Sequence, residues 1–182
     1  SNICVAVMPG YLMAWDHDTC RPVTDCLCSN NSLPKDVYQL FKFSSFYQLL
    51  SEHPNQLSTD HNVALNVWYL SKYFKYKASD SIIISGLDTW IMYFLTGYSP
   101  DSLVSSVDMM SELLFDGDDW DDPLLKSLKL SRSMFPQLVG STTMLTKGFS
   151  PLDDDITILY ARSTTALMSD MMRQYSAQPT AC

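Results

Sequence analysis

Four side chains that bind soft metals crowd one short stretch of the sequence: His17, Cys20, Cys26 and Cys28, in the spacing H-x2-C-x5-C-x-C. Zinc takes four such ligands in a tetrahedron, and a site whose positions are all filled by protein is structural rather than catalytic. The second pair is split by one residue instead of the usual two, so both thiolates must bind from neighbouring positions of an extended strand. The competing reading leaves these thiols in a loop packed on the core, with His17 exposed between Asp16 and Asp18. Five cysteines is an odd number, and four of them lie within the first 28 residues. That is no disulfide framework, and a reducing, cytoplasmic compartment is expected.

A second constellation is acidic. Asp116, Asp118, Asp119, Asp121 and Asp122 surround Gly117 and Trp120, five aspartates in seven residues. A calcium loop of the helix-loop-helix kind needs glycine at its sixth position and glutamate at its twelfth. Counted from Asp116 those positions hold Asp121 and Ser127; counted from Asp118 they hold Pro123 and Lys129. The match fails. What remains is a solvated loop before a helix, or a docking site for a basic partner with Trp120 as anchor and the aspartates as steering charges.

Nucleophilic catalysis needs a base within reach of a serine or cysteine, and the chain has three histidines: His17, His53 and His61. No nucleophile elbow, phosphate loop or dinucleotide-binding glycine pattern is present. A pair such as Cys28 with His53 would have to assemble in space. The run Asp153-Asp154-Asp155 reads as a helix start complementing its dipole. A fourth pattern, Trp68 to Lys77, interleaves aromatic and basic residues. Tyr69, Tyr73 and Tyr76 fall at helical spacing on one face, a composition that suits either packing beneath a neighbour or a protein-binding surface.

These residues sit in a chain of 182 residues, long enough for one domain with a sizeable core. A hydrophobic fraction of 46% excludes a disordered chain. The net charge of -8 is concentrated: ten acids and no lysine or arginine lie between Ala78 and Leu125. A field of that sign excludes a nucleic-acid surface, which needs bases to neutralise phosphates. No apolar run reaches the roughly 18 uncharged residues of a membrane span.

The elements that must position these groups read as helical. Capping side chains precede proline at Ser32-Leu33-Pro34, Ser99-Pro100, Asp122-Pro123 and Ser150-Pro151. Apolar residues recur at i, i+4, i+7 and i+11 from Val63 and again from Leu103. The spacing predicts helices near 35–52, 60–78, 81–96, 100–115, 123–135, 137–147 and 152–175. The segment near 81–96 is the candidate central helix, although its Ile82-Ile83-Ile84 start is β-branched and suits a strand. Alternation from Ile3 to Val7, followed by Pro9-Gly10, predicts a hairpin or extended arm.

The expected architecture is therefore all-α: a single helical domain over 1–182, with a Cys-rich arm over 1–31, a body of six to seven helices over 32–176 and a tail over 177–182. The expected function is a non-enzymatic protein-binding module, such as a viral factor that inhibits a host protein through the acidic and tyrosine-rich surfaces. Its partner is a protein with a basic face, with no nucleic acid, no membrane and no cofactor beyond structural zinc. The alternatives are a capsid-type assembly subunit and a cysteine-dependent hydrolase.

Overall fold

Three consecutive β-branched residues decide the architecture. Ile82, Ile83 and Ile84 are stiff at χ1 and fit a pleated surface better than a helix. They form strand β4 (Ile82–Gly86), buried along its whole length. It pairs antiparallel with β2 (Leu12–Asp16), Trp15 opposite Ile83 and Leu12 opposite Gly86. On its other side β2 meets the short β3 (Arg21–Pro22). The computed structural model describes residues 2–7, 11–28, 33–52, 63–74, 79–110, 113–115, 119–139 and 157–163.

Both faces of this sheet are covered, and the period of two divides its side chains between them. Leu12, Ala14, Ile82 and Ile84 join the main core, together with Phe41, Phe46, Leu50, Val67 and Leu124. Met13, Trp15 and Ile83 turn the other way and pack with Tyr93. The helices are α1 (Lys35–Lys42), α2 (Ser45–Ser51), α3 (Val63–Phe74), α4 (Leu87–Leu95), α5 (Val107–Met110) and α6 (Asp122–Ser127). Two parallel pairs complete the described fold. Strand β1 (Asn2–Val7) runs beside β9 (Thr157–Ser163), with Val7 level with Ser163, and β5 (Val104–Ser106) runs beside β8 (Gln137–Val139). A small antiparallel pair joins β6 (Leu114–Phe115) to β7 (Asp119–Trp120).

The all-α expectation is thus wrong; the fold is mixed α/β. The element near 81–96 divides at Gly86 into a strand and a helix. The element near 35–52 divides at Ser44, whose extended backbone and hydroxyl, accepting from the Tyr47 amide at 3.1 Å, start a new helix. The spacing of Leu103, Val107, Met110 and Leu114 is helical by coincidence. Pro100–Ser102 is a 3₁₀ turn, Val104–Ser106 a strand, and only Val107–Met110 an α-helix. The segment near 123–135 holds α6 and a 3₁₀ turn at Arg132–Met134. Where helices near 137–147 and 152–175 were expected, the described residues form β8 and β9. The N-terminal segment is neither an arm nor a hairpin, since β1 pairs with β9 and β2 with β4, across long stretches of sequence. The expected tail over 177–182 and the caps at Ser32 and Ser150 lie outside the described residues. Gly97 takes the left-handed cap after α4, with φ 70°. Among the described residues, no helix is long and apolar enough to cross a membrane.

Candidate functional site at the strand ends

Strand β4 ends where α4 begins, and the turn between them holds a buried carboxylate. Gly86 is the helix cap, and Asp88, fully buried, folds its side chain back toward it. A Cβ at position 86 would collide with Oδ1 of Asp88, so only glycine admits the approach. Ser105, on β5, donates from Oγ to Oδ2 of Asp88 at 3.0 Å. Thr89 donates to the carbonyl of Val104 at 2.8 Å, tying the first turn of α4 to the same strand. Behind the turn, Trp15 donates from Nε1 to Ser85 Oγ at 2.9 Å, and Ser85 donates onward to the Gly86 carbonyl at 2.9 Å. Ser106, the last residue of β5, is 1% exposed, and its hydroxyl has no hydrogen-bond partner among the described residues. A buried polar atom of that kind marks a place to look for a ligand or an ordered water.

Open sheets bind ligands beyond the carboxyl ends of their strands. The carboxyl ends of the parallel strands β1 and β9 meet at Val7 and Ser163. Five residues after Val7 the chain reaches Leu12, opposite Gly86 at the carboxyl end of β4. Helix α4 also packs against both β1 and β9. The carboxyl ends of β1 and β9 lie side by side, α4 packs on both strands and starts at the carboxyl end of β4, and the Asp88 network ties its first turn to β5. Residue 162, an arginine, stands in register with Ala6 at this edge.

The candidate residues found from sequence fall elsewhere. His17 and Cys20 lie in the β2–β3 turn and line a cleft of about 450 Å3 with Tyr93 and Tyr98. His17 Nδ1 is 3.2 Å from Asp18. Cys26 lines a different cleft, with Tyr69 and Leu70. Cys26 and Cys28 flank Leu27, whose amide and carbonyl both bond to Leu12. No group of three or more histidine, cysteine or acidic side chains among the described residues is placed to hold a metal. Of the four expected zinc ligands, His17 and Cys20 thus line one cleft and Cys26 another. Burial raises the Cys20 and Cys26 thiols above their ordinary value, for Cys26 with help from neighbouring Cys28, so neither is an activated thiolate. His53 and His61 lie outside the described residues.

The acidic loop has structural work. Trp120 is 4% exposed, packs on Phe135 with ring centroids 4.8 Å apart, and donates from Nε1 to the Pro136 carbonyl at 3.1 Å. It is a core residue and offers no exposed anchor. Asp121 is buried and caps α6, accepting from the Leu124 amide at 3.0 Å. Asp119 is exposed and meets Arg132 at 2.7 Å, a contact that, with the Trp120 amide, holds its carboxyl below the usual carboxylate value. Asp122 is exposed in the first turn of α6, while Asp116 and Asp118 lie outside the described residues. Tyr69 is half-buried, Tyr73 belongs to α3, and Tyr76 lies outside the described residues. Sequence reasoning missed the Asp88 network, although a lone acid inside the apolar run from Ile82 to Leu95 was its visible signal.

No protein-family model and no curated protein matches this sequence. Solved structures do. The chain aligns with xylulose kinase from Lactobacillus acidophilus at a TM-score of 0.69 and 19% identity, over 92% of this chain and 35% of that one. Gluconate kinase from the same organism gives 0.69 and 18% over the same shares. Plasmodium falciparum glycerol kinase, solved with ADP, gives 0.62 and 16%, over 89% of this chain and 34% of that one. The chain spans about a third of the length of each of these structures. Its mixed α/β fold is shared with the aligned third of these structures. That finding overturns the expectation of a non-enzymatic viral inhibitor or host-binding helical module, because the neighbours are kinases and the architecture is theirs.

Proposed function

We propose that this chain forms the substrate-binding part of a carbohydrate-kinase-type enzyme. The reaction class moves a phosphoryl group from a nucleotide to a hydroxyl of a small polyhydroxylated compound. The nucleotide's terminal P–O bond breaks, the substrate hydroxyl loses its proton as the new ester forms, and a nucleoside diphosphate leaves. Catalysis of this kind rests mainly on positioning and on stabilising charge, with little covalent chemistry for the protein. The single observation that carries the reading is the match of about nine-tenths of the backbone to kinases named for glycerol, xylulose and gluconate. The substrate would bind beyond the carboxyl ends of β1, β4 and β9, where the Asp88 network holds the start of α4 in place. We place the protein in a reducing, cytoplasmic compartment, in keeping with thiols at Cys20 and Cys26 that carry no disulfide.

The test is calorimetric titration of the 182-residue chain with glycerol, xylulose and gluconate in turn, alongside a coupled assay for ADP released from ATP. Binding of one of the three is expected, weakened by Ser105→Ala, which loosens the network without touching the ligand. If none of the three binds and none promotes ADP release, the proposal is refuted.

A further inference from the structure

A cleft of about 320 Å3 opens between α2, α3 and the segment that follows α6, away from the strand ends. Its floor is apolar, built from Phe46, Trp68 and Met134, all largely buried. Its rim is cationic. Lys72 and Lys129 line it, and among the described residues no aspartate or glutamate does. In a chain of net charge -8, that is a local reversal of sign.

The Lys72 side chain and the Lys129 backbone are each held in a defined place. The Lys72 ammonium sits 5.2 Å from the centroid of the Trp68 indole, over the wall of the cleft. Lys129 adopts φ 59°, in the left-handed region, just after the end of α6. Glycine is the residue that takes this position without strain, and a lysine there is kept at a conformational cost. The turn closes α6, with the Leu130 amide donating to the Leu125 carbonyl at 3.1 Å and the Lys129 amide to the Lys126 carbonyl at 2.9 Å, and it carries a second cation beyond Lys126 to the helix end. The serines beside these lysines are mostly committed. Ser44, Ser71 and Ser127 donate to the carbonyls of Phe41, Trp68 and Leu124 at 2.6, 2.6 and 2.7 Å. Ser45 remains to offer a hydroxyl donor at the rim.

We propose that this cleft binds a small phosphate monoester carrying one flat apolar ring. Two ammonium groups match the two charges of a monoester above its second pKa of about 6. The indole and its apolar neighbours match the ring, and the volume is at the lower end of the roughly 300–1,000 Å3 of small-molecule sites, room for one ring and its phosphate. The site is separate from the sugar-binding proposal and stands or falls without it.

Calorimetric titration with phenyl phosphate tests it, with inorganic phosphate and phenol as the charge-only and ring-only arms. Phenyl phosphate should bind at least about tenfold more tightly than either arm, and more weakly as pH falls below about 6. Two variants carry the decision. Lys129→Gly relieves the left-handed backbone, so its thermal midpoint should hold or rise while phenyl phosphate affinity falls by about tenfold or more. Lys72→Gln should weaken binding comparably. Binding that survives both substitutions, inorganic phosphate binding as tightly as the aryl ester, or no binding at millimolar phenyl phosphate each overturns the proposal.

Discussion

Replacing Trp120 separates a core residue from a surface anchor by a wide margin. The side chain is 4% exposed, packs on Phe135 at 4.8 Å and donates to the Pro136 carbonyl at 3.1 Å. Trp120→Ala removes the apolar burial and leaves a cavity, which costs about 3–5 kcal/mol for a residue of this size. Part of that is the ring pair itself, about 0.5–1.5 kcal/mol beyond area. Trp120→Phe keeps most of the packing and removes only the donor, leaving a buried carbonyl unmet at about 1–3 kcal/mol. An exposed anchor in a solvated loop would change stability by no more than about 0.5 kcal/mol in either variant. Urea unfolding followed by circular dichroism measures both, with an unchanged slope expected because the same surface is exposed on unfolding. If both variants fall within about 0.5 kcal/mol of the parent, Trp120 is not part of the core and the account of the β7–α6 corner fails.

Three further outcomes follow from the described contacts. Gly86→Ala should destabilise by about 1–3 kcal/mol in the same urea experiment, because the new Cβ displaces the Asp88 carboxylate from its buried place beside Ser105; a neutral effect would show that Asp88 moves freely. Asp16 is held below the usual carboxylate value, first by the Thr19 amide and then by the Ser81 hydroxyl. Its contribution is therefore full above the unfolded value of about 4 and is lost as pH falls through the lower folded value, so Asp16→Asn should flatten the acid limb of a stability-against-pH curve. Ile84→Ala, at a fully buried sheet position, should cost about 2–5 kcal/mol, whereas Leu40→Ala, at a position 63% exposed, should stay within about 0.5 kcal/mol. Equal effects of those two substitutions on the thermal midpoint would contradict the described core.

Helix boundaries were legible where the signal is local backbone chemistry. The left-handed Gly97 after α4 and the proline in the first turn of α6 both follow from local chemistry, and both stand in the structure. The cap of α6 is Asp121 rather than Asp122, a shift of one residue that capping signals in a run of aspartates do not resolve. Strands were far less legible. A strand buried on both faces has no alternation to betray it, and short apolar runs with a chance four-residue spacing look helical. Val104–Ser106 is buried along its length, and it and Thr157–Ser163 each find a partner strand across a long stretch of chain. Their pairing is a property of the tertiary fold, which no window of eleven or eighteen residues contains.

The candidate site suffered from the same limit in a sharper form. Reactive-looking clusters in the sequence, such as the thiols near His17 and the aspartates around Trp120, drew attention because their members are neighbours along the chain. Folding puts His17 and Cys20 in one cleft and Cys26 in another, and it uses Asp121 as a cap, Asp119 in an ion pair and Trp120 as a core ring. The groups that converge come from distant places: Trp15 with Ser85 and Asp88 with Ser105, while Lys72 and Lys129 line one cleft. What marked them individually was a residue out of keeping with its surroundings. Asp88 is an acid in an apolar run, and Lys129 occupies a backbone position that suits glycine. Each such misfit loses local stability, so a chain retains it only where something non-local compensates. For Asp88 the compensation is visible in the Ser105 hydroxyl. For Lys129 the Leu130 amide, donating to the Leu125 carbonyl at 3.1 Å, supports the turn itself, and the aryl phosphate titration asks what the ammonium does.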